Sequence, residues 1–190
     1  MAGTLKVGGI TLATHSDSDT NVTLENMALP NGVTLKQSSI VTTNGAASYN
    51  ITIPSGVKYI TAMVIDITAT GNNSSGADNS DFVFRLGTSN GVKTSGYKSS
   101  GGYVGPGIAI EGDTTGFKIY NNTSADTIQN FIADFYLFDD TKWVMKGQGN
   151  YVTAATQYFT QSAGAVTLDG TVTTISLVCV SSTSQTFDGG

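Results

Sequence analysis

Apolar residues fill both alternating sets of positions in three stretches of the chain: residues 59–67 (YITAMVIDI), 131–138 (FIADFYLF) and 175–180 (ISLVCV). A half-buried antiparallel strand alternates, with one side toward the core and the other toward water. Read as a regular strand, residues 59–67 place Tyr59, Met63, Ile65 and Ile67 on one side and Ile60, Ala62 and Val64 on the other. In 131–138, Phe131, Phe135 and Leu137 oppose Ile132, Tyr136 and Phe138. Continuous runs of this kind suit parallel sheets, but those need crossover helices of a dozen or more residues, and the pattern holds no helical period. The expectation is an all-β antiparallel sandwich, jelly-roll-like, whose second face is covered by a long loop, an N-terminal arm or, as the favoured cover, another copy of the chain.

Turn residues divide the rest into strands. Residues 47–54 (ASYNITIP) alternate Tyr49, Ile51 and Ile53 inward, and Pro54-Ser55-Gly56 turns them into a long strand over 58–69. Polar residues 70–80 (TGNNSSGADNS) read as an exposed loop, 81–87 as a strand and 92–97 as a weaker one. Residues 98–107 (KSSGGYVGPG) read as a second exposed, glycine-rich loop, and 116–120 as a short strand. The run 128–138 pairs with 143–152 through Asp139-Asp140-Thr141-Lys142, a hairpin signal between aromatic strands. TQYFTQS, VTTISLVCV and QTF bring the total to eight to ten strands. No repeat of propeller length recurs, which favours a sandwich.

The first part of the chain differs. Residues 4–12 and 21–29 are thinly apolar β-like pieces separated by HSDSDT, with too little apolar mass to form a core. They read as an N-terminal docking arm over 1–38, with the sandwich over 39–190.

Charge narrows the partners. Only 12% of the 190 residues are charged, against roughly 25% in ordinary domains, and Thr, Ser, Asn and 23 glycines take their place. Such residues make turns and neutral strand faces and do poorly inside helices. Net charge is −5 with no run of Lys or Arg, which argues against nucleic acid. There is no basic amphipathic segment and no apolar run of membrane-spanning length, so no membrane is expected. Residues 1–17 lack the apolar core of a secretory signal, so synthesis in a cytoplasm is expected. The single cysteine, Cys179, lies in an apolar run and reads as a buried thiol.

Catalytic chemistry finds little support. The one histidine, His15, stands beside Ser16 and Asp17, but adjacency in sequence is not a triad. Residues 17–21 open like a calcium loop, yet Val22 and Ala28 stand where Gly and Glu are required. Asp78 with Asp81 and Asp139 with Asp140 serve as turn formers. No cofactor, metal site or catalytic residue is expected. Asn-x-Ser/Thr sequons at Asn21, Asn50, Asn72, Asn73, Asn121 and Asn122 read as chance in so amide-rich a chain. Arg85, in mid-strand, is expected to pair with an aspartate. The candidate ligand-binding residues are Tyr97 and Tyr103, flanking the glycine-rich loop, and Asn72 and Asn73 in the other loop. Aromatic faces beside amides suit weak binding of sugars; the plainer alternative has the tyrosines covering strand ends.

Residues 81–97 (DFVFRLGTSNGVKTSGY) resemble a motif of bacteriophage virion structural proteins, especially those of marine and cyanobacterial hosts. Residues 51–68, GFKIY, the hairpin strand opening on Trp143-Val144 and the closing VTTISLVCVSSTSQTFDGG are similar to that family's pattern, and MAGTLKVGGI to the starts of tail-fibre proteins. Relatives run on past a T-F-D-x-G segment into one more strand; here that segment, 186–190, closes the sequence. The resemblance implies a β-sandwich in the virion, trimeric as a homo-oligomer, docked to other virion proteins through residues 1–38. It implies a tail fibre or receptor-binding appendage that meets a host-surface glycan. A capsid decoration protein or head fibre is the first alternative, and a carbohydrate-active enzyme the second. No catalytic residue transfers from the family.

Overall fold

The computed structural model describes residues 3–7, 10–15, 23–24, 28–29, 33–34, 41–69, 81–119, 127–153, 156–180 and 186–190, with side chains from residue 41 onward, that of Asp81 excepted. The chain divides into two compact units, Met1–Ile40 and Val41–Gly190. In the first unit β1 (Gly3–Val7) and β2 (Ile10–His15) form a hairpin, and β3 (Thr23–Leu24) adds to β2. A second small ribbon pairs β4 (Ala28–Leu29) with β5 (Val33–Thr34).

The second unit is an antiparallel β-sandwich, and no helix occurs among the described residues. In chain order its strands are β6 (Ser48–Thr52), β7 (Tyr59–Ala69), β8 (Asp81–Thr88), β9 (Gly91–Val92), β10 (Lys98–Val104), β11 (Ile108–Asp113), β12 (Phe117–Ile119), β13 (Ile128–Asp139), β14 (Lys142–Val152), β15 (Gln157–Thr167), β16 (Thr174–Val180) and β17 (Phe187–Gly189). One sheet has seven strands in the order β11-β10-β15-β14-β13-β7-β17, and the other runs β12-β8-β16-β6, with β9 against β8. The meander β13-β14-β15 forms the middle of the larger sheet. Its first turn is the expected Asp139–Lys142 hairpin, with Asp140 at a φ of 23°.

Aromatic rings fill the space between the sheets. Phe135 is fully buried on β13 and meets Phe84 of β8 and Phe117 of β12 edge-on, at centroid distances of 5.5 Å each. Trp143, Met145 and Val166 line the same side of the larger sheet, facing Leu86, Ile175 and Cys179. At one end Phe187 of β17 stacks on Phe82 at 5.3 Å, and residues 43–46 hydrogen-bond to 187–190. Cys179 is a buried free thiol.

A bulge corrects the regular-strand reading of 59–67. Gln129 pairs with Ile67 but Phe131 pairs with Val64, so Ile65 and Asp66 together oppose Asn130. Asp66 takes a φ of 54°, and its N–H donates to Asn130 Oδ1 at 2.8 Å. The extra residue resets the alternation. Ile67 therefore turns inward, 1% exposed, while Met63 and Ile65 point out at 70% and 64%.

The two sheets also differ in their outer faces. On the smaller sheet Val83 and Ser176 are buried although they face away from the core, and Val178 and Val180 of the third two-faced run are half-buried. No large apolar side chain on the described strands of that sheet is exposed, unlike those of the larger sheet.

Candidate functional site

Among the described residues, exposed large apolar side chains concentrate on the outer face of the seven-stranded sheet. Strand alternation sends Tyr59, Thr61, Met63 and Ile65 of β7 outward, beside Ile132, Asp134, Tyr136 and Phe138 of β13. Met63 sits opposite Ile132, and Tyr59 opposite Tyr136 with ring centroids 5.0 Å apart. These side chains form one ridge. A second ridge stands across the sheet, where Ile108 and Ile110 of β11 join Val104 of β10 and Phe159 of β15. Ile108 and Ile110 are 73% and 76% exposed.

Between the ridges the surface drops. Ser100 and Gly102 of β10, Gln161 and Ala163 of β15, and Lys146 and Gln148 of β14 make the floor of a groove of about 600 Å³. The register places Gln148 directly across from Gln161, and Lys146 across from Ala163 on one side and Asp134 on the other. On β10 the floor is low at Gly102, where a Cβ would lie 2.5 Å from the Ala109 carbonyl oxygen.

One charged cluster marks the edge between ridge and floor. The Tyr59 hydroxyl donates to Asp134 Oδ1 at 2.6 Å, and Thr61 Oγ1 lies 2.9 Å from the same oxygen. The Tyr59 hydroxyl, followed by Thr61 and the positive charge of Lys146, holds the Asp134 carboxyl below the usual carboxylate range. Hydrogen bonding to Asp134 raises the Tyr59 phenol correspondingly. Lys146 is raised, first by its hydrogen bond with Tyr136, and its Nζ stands 5.7 Å from that ring's centroid. Asp134 and Lys146 are thus both charged at neutral pH.

Of the residues singled out from sequence, Tyr103 is among those lining the groove, and Tyr97 lies in the core. Tyr97 is a core residue, 1% exposed, edge-on to Phe117 at 5.1 Å. Its hydroxyl accepts from the Leu86 N–H at 2.9 Å and donates to the Lys93 carbonyl at 3.2 Å. Burial pushes its phenol up to about 12. Tyr97 offers no ring face to a ligand. Tyr103 is half-buried on the inner side of β10, its ring 5.7 Å from Tyr151 and 5.3 Å from Tyr158. Asn72 and Asn73 lie outside the described residues, as do the calcium-like residues 17–21 and Asp78; His15 belongs to β2.

The glycine-rich segment is no loop. Residues 98–104 are β10, and only 105–107 turn before β11. The separate strand expected over 92–97 shrinks to Gly91–Val92. Among the described residues Arg85 meets a carbonyl and no aspartate: its Nε donates to Thr115 O at 2.8 Å. Asp113 Oδ1 shapes that turn by accepting the Thr115 hydroxyl at 2.8 Å and the Gly116 N–H at 3.0 Å. Lys118, 3% exposed, forms an ion pair with Glu111 at 2.6 Å where the β10–β11 hairpin overhangs β12. Among the described residues no three His, Cys, Asp or Glu side chains gather as a metal site would require.

Neither a family model, nor a curated protein, nor a solved structure matches this chain.

Proposed function

We propose that the chain is a subunit of a bacteriophage virion, a tail-fibre or receptor-binding appendage protein that assembles as a homo-oligomer. A trimer is the order that the likeness of residues 51–68 and 81–97 to virion structural proteins favours. The observation that carries the assembly is the β7–β13 ridge. At ~150–250 Å² for a large side chain, Tyr59, Met63, Ile65, Ile132, Tyr136 and Phe138, with exposures of 37% to 72%, leave roughly 500–800 Å² in water. That lies at or above the upper end of the ~300–600 Å² of the largest apolar patch on a usual monomer and approaches the ~800 Å² each partner gives to a standard interface. Another copy of the same sequence is the economical cover, since the hydroxyl- and amide-rich remainder of the surface keeps the assembled particle soluble with few charges. In this reading residues 1–38 dock the subunit to other virion proteins.

Two measurements test the reading. Sedimentation of the whole chain at micromolar concentration is expected to give an oligomer; a stable monomer removes the assembly. Labelled antibodies against the chain are expected to decorate the tails of intact particles; decoration confined to the capsid assigns it to the shell, and none at all removes the virion reading.

A further inference from the structure

We propose that the free edge of β11 pairs with β11 of a second copy, antiparallel and about a two-fold axis at Ile110, so that the larger sheet runs on from one subunit into the next. The contact is separate from the β7–β13 ridge and does not rest on the virion reading. β11 ends the order of its sheet, and among the described residues no strand lies beyond it. An edge strand offers unpaired N–H and C=O groups to another chain, and natural edges are ordinarily kept short, bulged or charged. The other edges of the two sheets are blunted. β12 and β17 have three residues each, β17 with a register shift, and β6 turns Ser48, Asn50 and Thr52 to solvent. β11 has six residues, ladders against β10 without a shift, and carries Ile108 and Ile110 at 73% and 76% exposure. The one charge between Ile108 and Gly112 is Glu111, which points to the other side of the strand and is held there by Lys118 at 2.6 Å.

The register selects the partner. The Ala109 carbonyl oxygen is directed at Gly102 of β10. Main-chain groups alternate in direction along a strand, so those of Ile108, Ile110 and Gly112 face the free edge. A two-fold axis at Ile110 sets Ile110 opposite Ile110 of the other copy, Ile108 opposite Gly112 and Ala109 opposite Glu111. It forms about six main-chain hydrogen bonds. An axis at Ala109 or at Glu111 forms about four, and the second also sets two carboxylates directly across from each other, which is unfavourable. β11 is therefore complementary to itself: isoleucines meet on the outer face, and the two Glu111 side chains stay apart. Main-chain bonds supply the affinity and the side chains the register, as in strand addition generally. A foreign strand must bring a matching apolar residue; the second copy already carries it. A two-fold contact closes on itself, so this one joins subunits, or assemblies of subunits, in pairs and does not build a trimer.

Disulfide trapping of the whole chain tests the pairing. In a hydrogen-bonded antiparallel pair the Cα atoms stand ~5.5 Å apart, a separation that a disulfide spans. With oxidised glutathione as the oxidant, Ile110→Cys is expected to give roughly fivefold more covalent dimer than Ile108→Cys. A mixture of Ile108→Cys and Gly112→Cys chains should cross-link one to the other. A Cβ at Gly112 meets nothing closer than 3.7 Å, and the native Cys179 is buried. Each variant should keep the parent's urea midpoint. Ile110→Cys should cross-link equally well beside Met63→Lys, which disrupts the ridge. Equal trapping at 108 and 110, or trapping at neither, overturns the pairing. Loss of trapping beside Met63→Lys also overturns it, by making the contact a by-product of the ridge. A parent that sediments as a monomer yet traps at Ile110 removes the ridge assembly and keeps the edge; an oligomer that does not trap there does the reverse.

Discussion

Replacing Met63 by lysine separates the assembly from the fold. Met63 is 70% exposed in the single chain, so the lone sandwich loses little when it changes. A surface substitution of this kind falls within about 0.5 kcal/mol. In an oligomer closed through the β7–β13 ridge the position is covered, by the partner and by Ile132 opposite. Full burial of a methionine is worth about 1.5–3 kcal/mol; the 70% still exposed corresponds to about 1–2 kcal/mol. Trapping an ammonium in an apolar contact adds a desolvation cost, for a total of about 2–3 kcal/mol per contact. The dissociation constant should rise roughly 30- to 150-fold. Sedimentation velocity over a dilution series reads that shift, and urea denaturation of the dissociated protein reads the fold. Gln157→Lys, an exposed position at the end of β15, should change neither. The reasoning fails if Met63→Lys leaves the dissociation midpoint within twofold of the parent. It fails equally if the variant lowers single-chain stability by more than about 1 kcal/mol, because Met63 would then belong to the fold's own packing.

Three further outcomes follow from the interior. Phe135→Ala removes a ring with no exposure that meets both Phe84 and Phe117, and urea denaturation should show a loss of about 3–5 kcal/mol. Tyr97 has a folded-state phenol raised to about 12 from 10.0, so its contribution is whole below pH 10 and is lost as pH rises toward 12. A decline of about 2–3 kcal/mol across that window should be missing in Tyr97→Phe, which in return loses stability at neutral pH by leaving the Leu86 N–H without its acceptor. Deleting Asp66 should cost under about 1 kcal/mol, because the strand then alternates regularly with Ile65 out and Ile67 in; deleting Met63 should cost several times more, since half of β7 must turn its core residues to water.

The strand pattern was legible wherever strands were apolar or bounded by turns. Residues 48–52, 59–69, 81–88 and the 128–152 hairpin fall where their alternation and their Pro-Ser-Gly and Asp-Asp-Thr-Lys turns put them. The β10–β11 hairpin was not. KSSGGYV has the composition of a loop because its residues are small on both sides, inward where Ser99 and Gly101 crowd β15 and β12, outward where Gly102 lies against Ala109. A signal was present in Val104-Gly-Pro-Gly-Ile108, a tight turn between β-branched residues followed by the alternation of IAIEGD. Missing that hairpin moved Tyr97 from the core to an imagined loop and hid the groove altogether, since one of its walls is β11.

Two-faced runs that look alike in sequence differ in how far a single chain buries them. Residues 175–180 and 59–67 look alike in sequence, yet Val83 and Ser176 on the outer face of the smaller sheet are buried in a single chain while Met63 and Ile65 are not. Apolar pattern reports that a strand needs cover on both faces and is silent on who provides it. Position in the sheet does not decide it either. Ile67 and Ile65 lie on one strand two residues apart, and a single left-handed residue between them, held by Asn130, sends the first to the core and the second to the outer ridge. Had β7 been regular, Ile67 would join that ridge and the core would lose a fully packed side chain against Phe187's end of the sandwich. The bulge therefore sets both quantities at once: how much apolar surface is packed in the core and how much is left exposed on the outer face of the sheet.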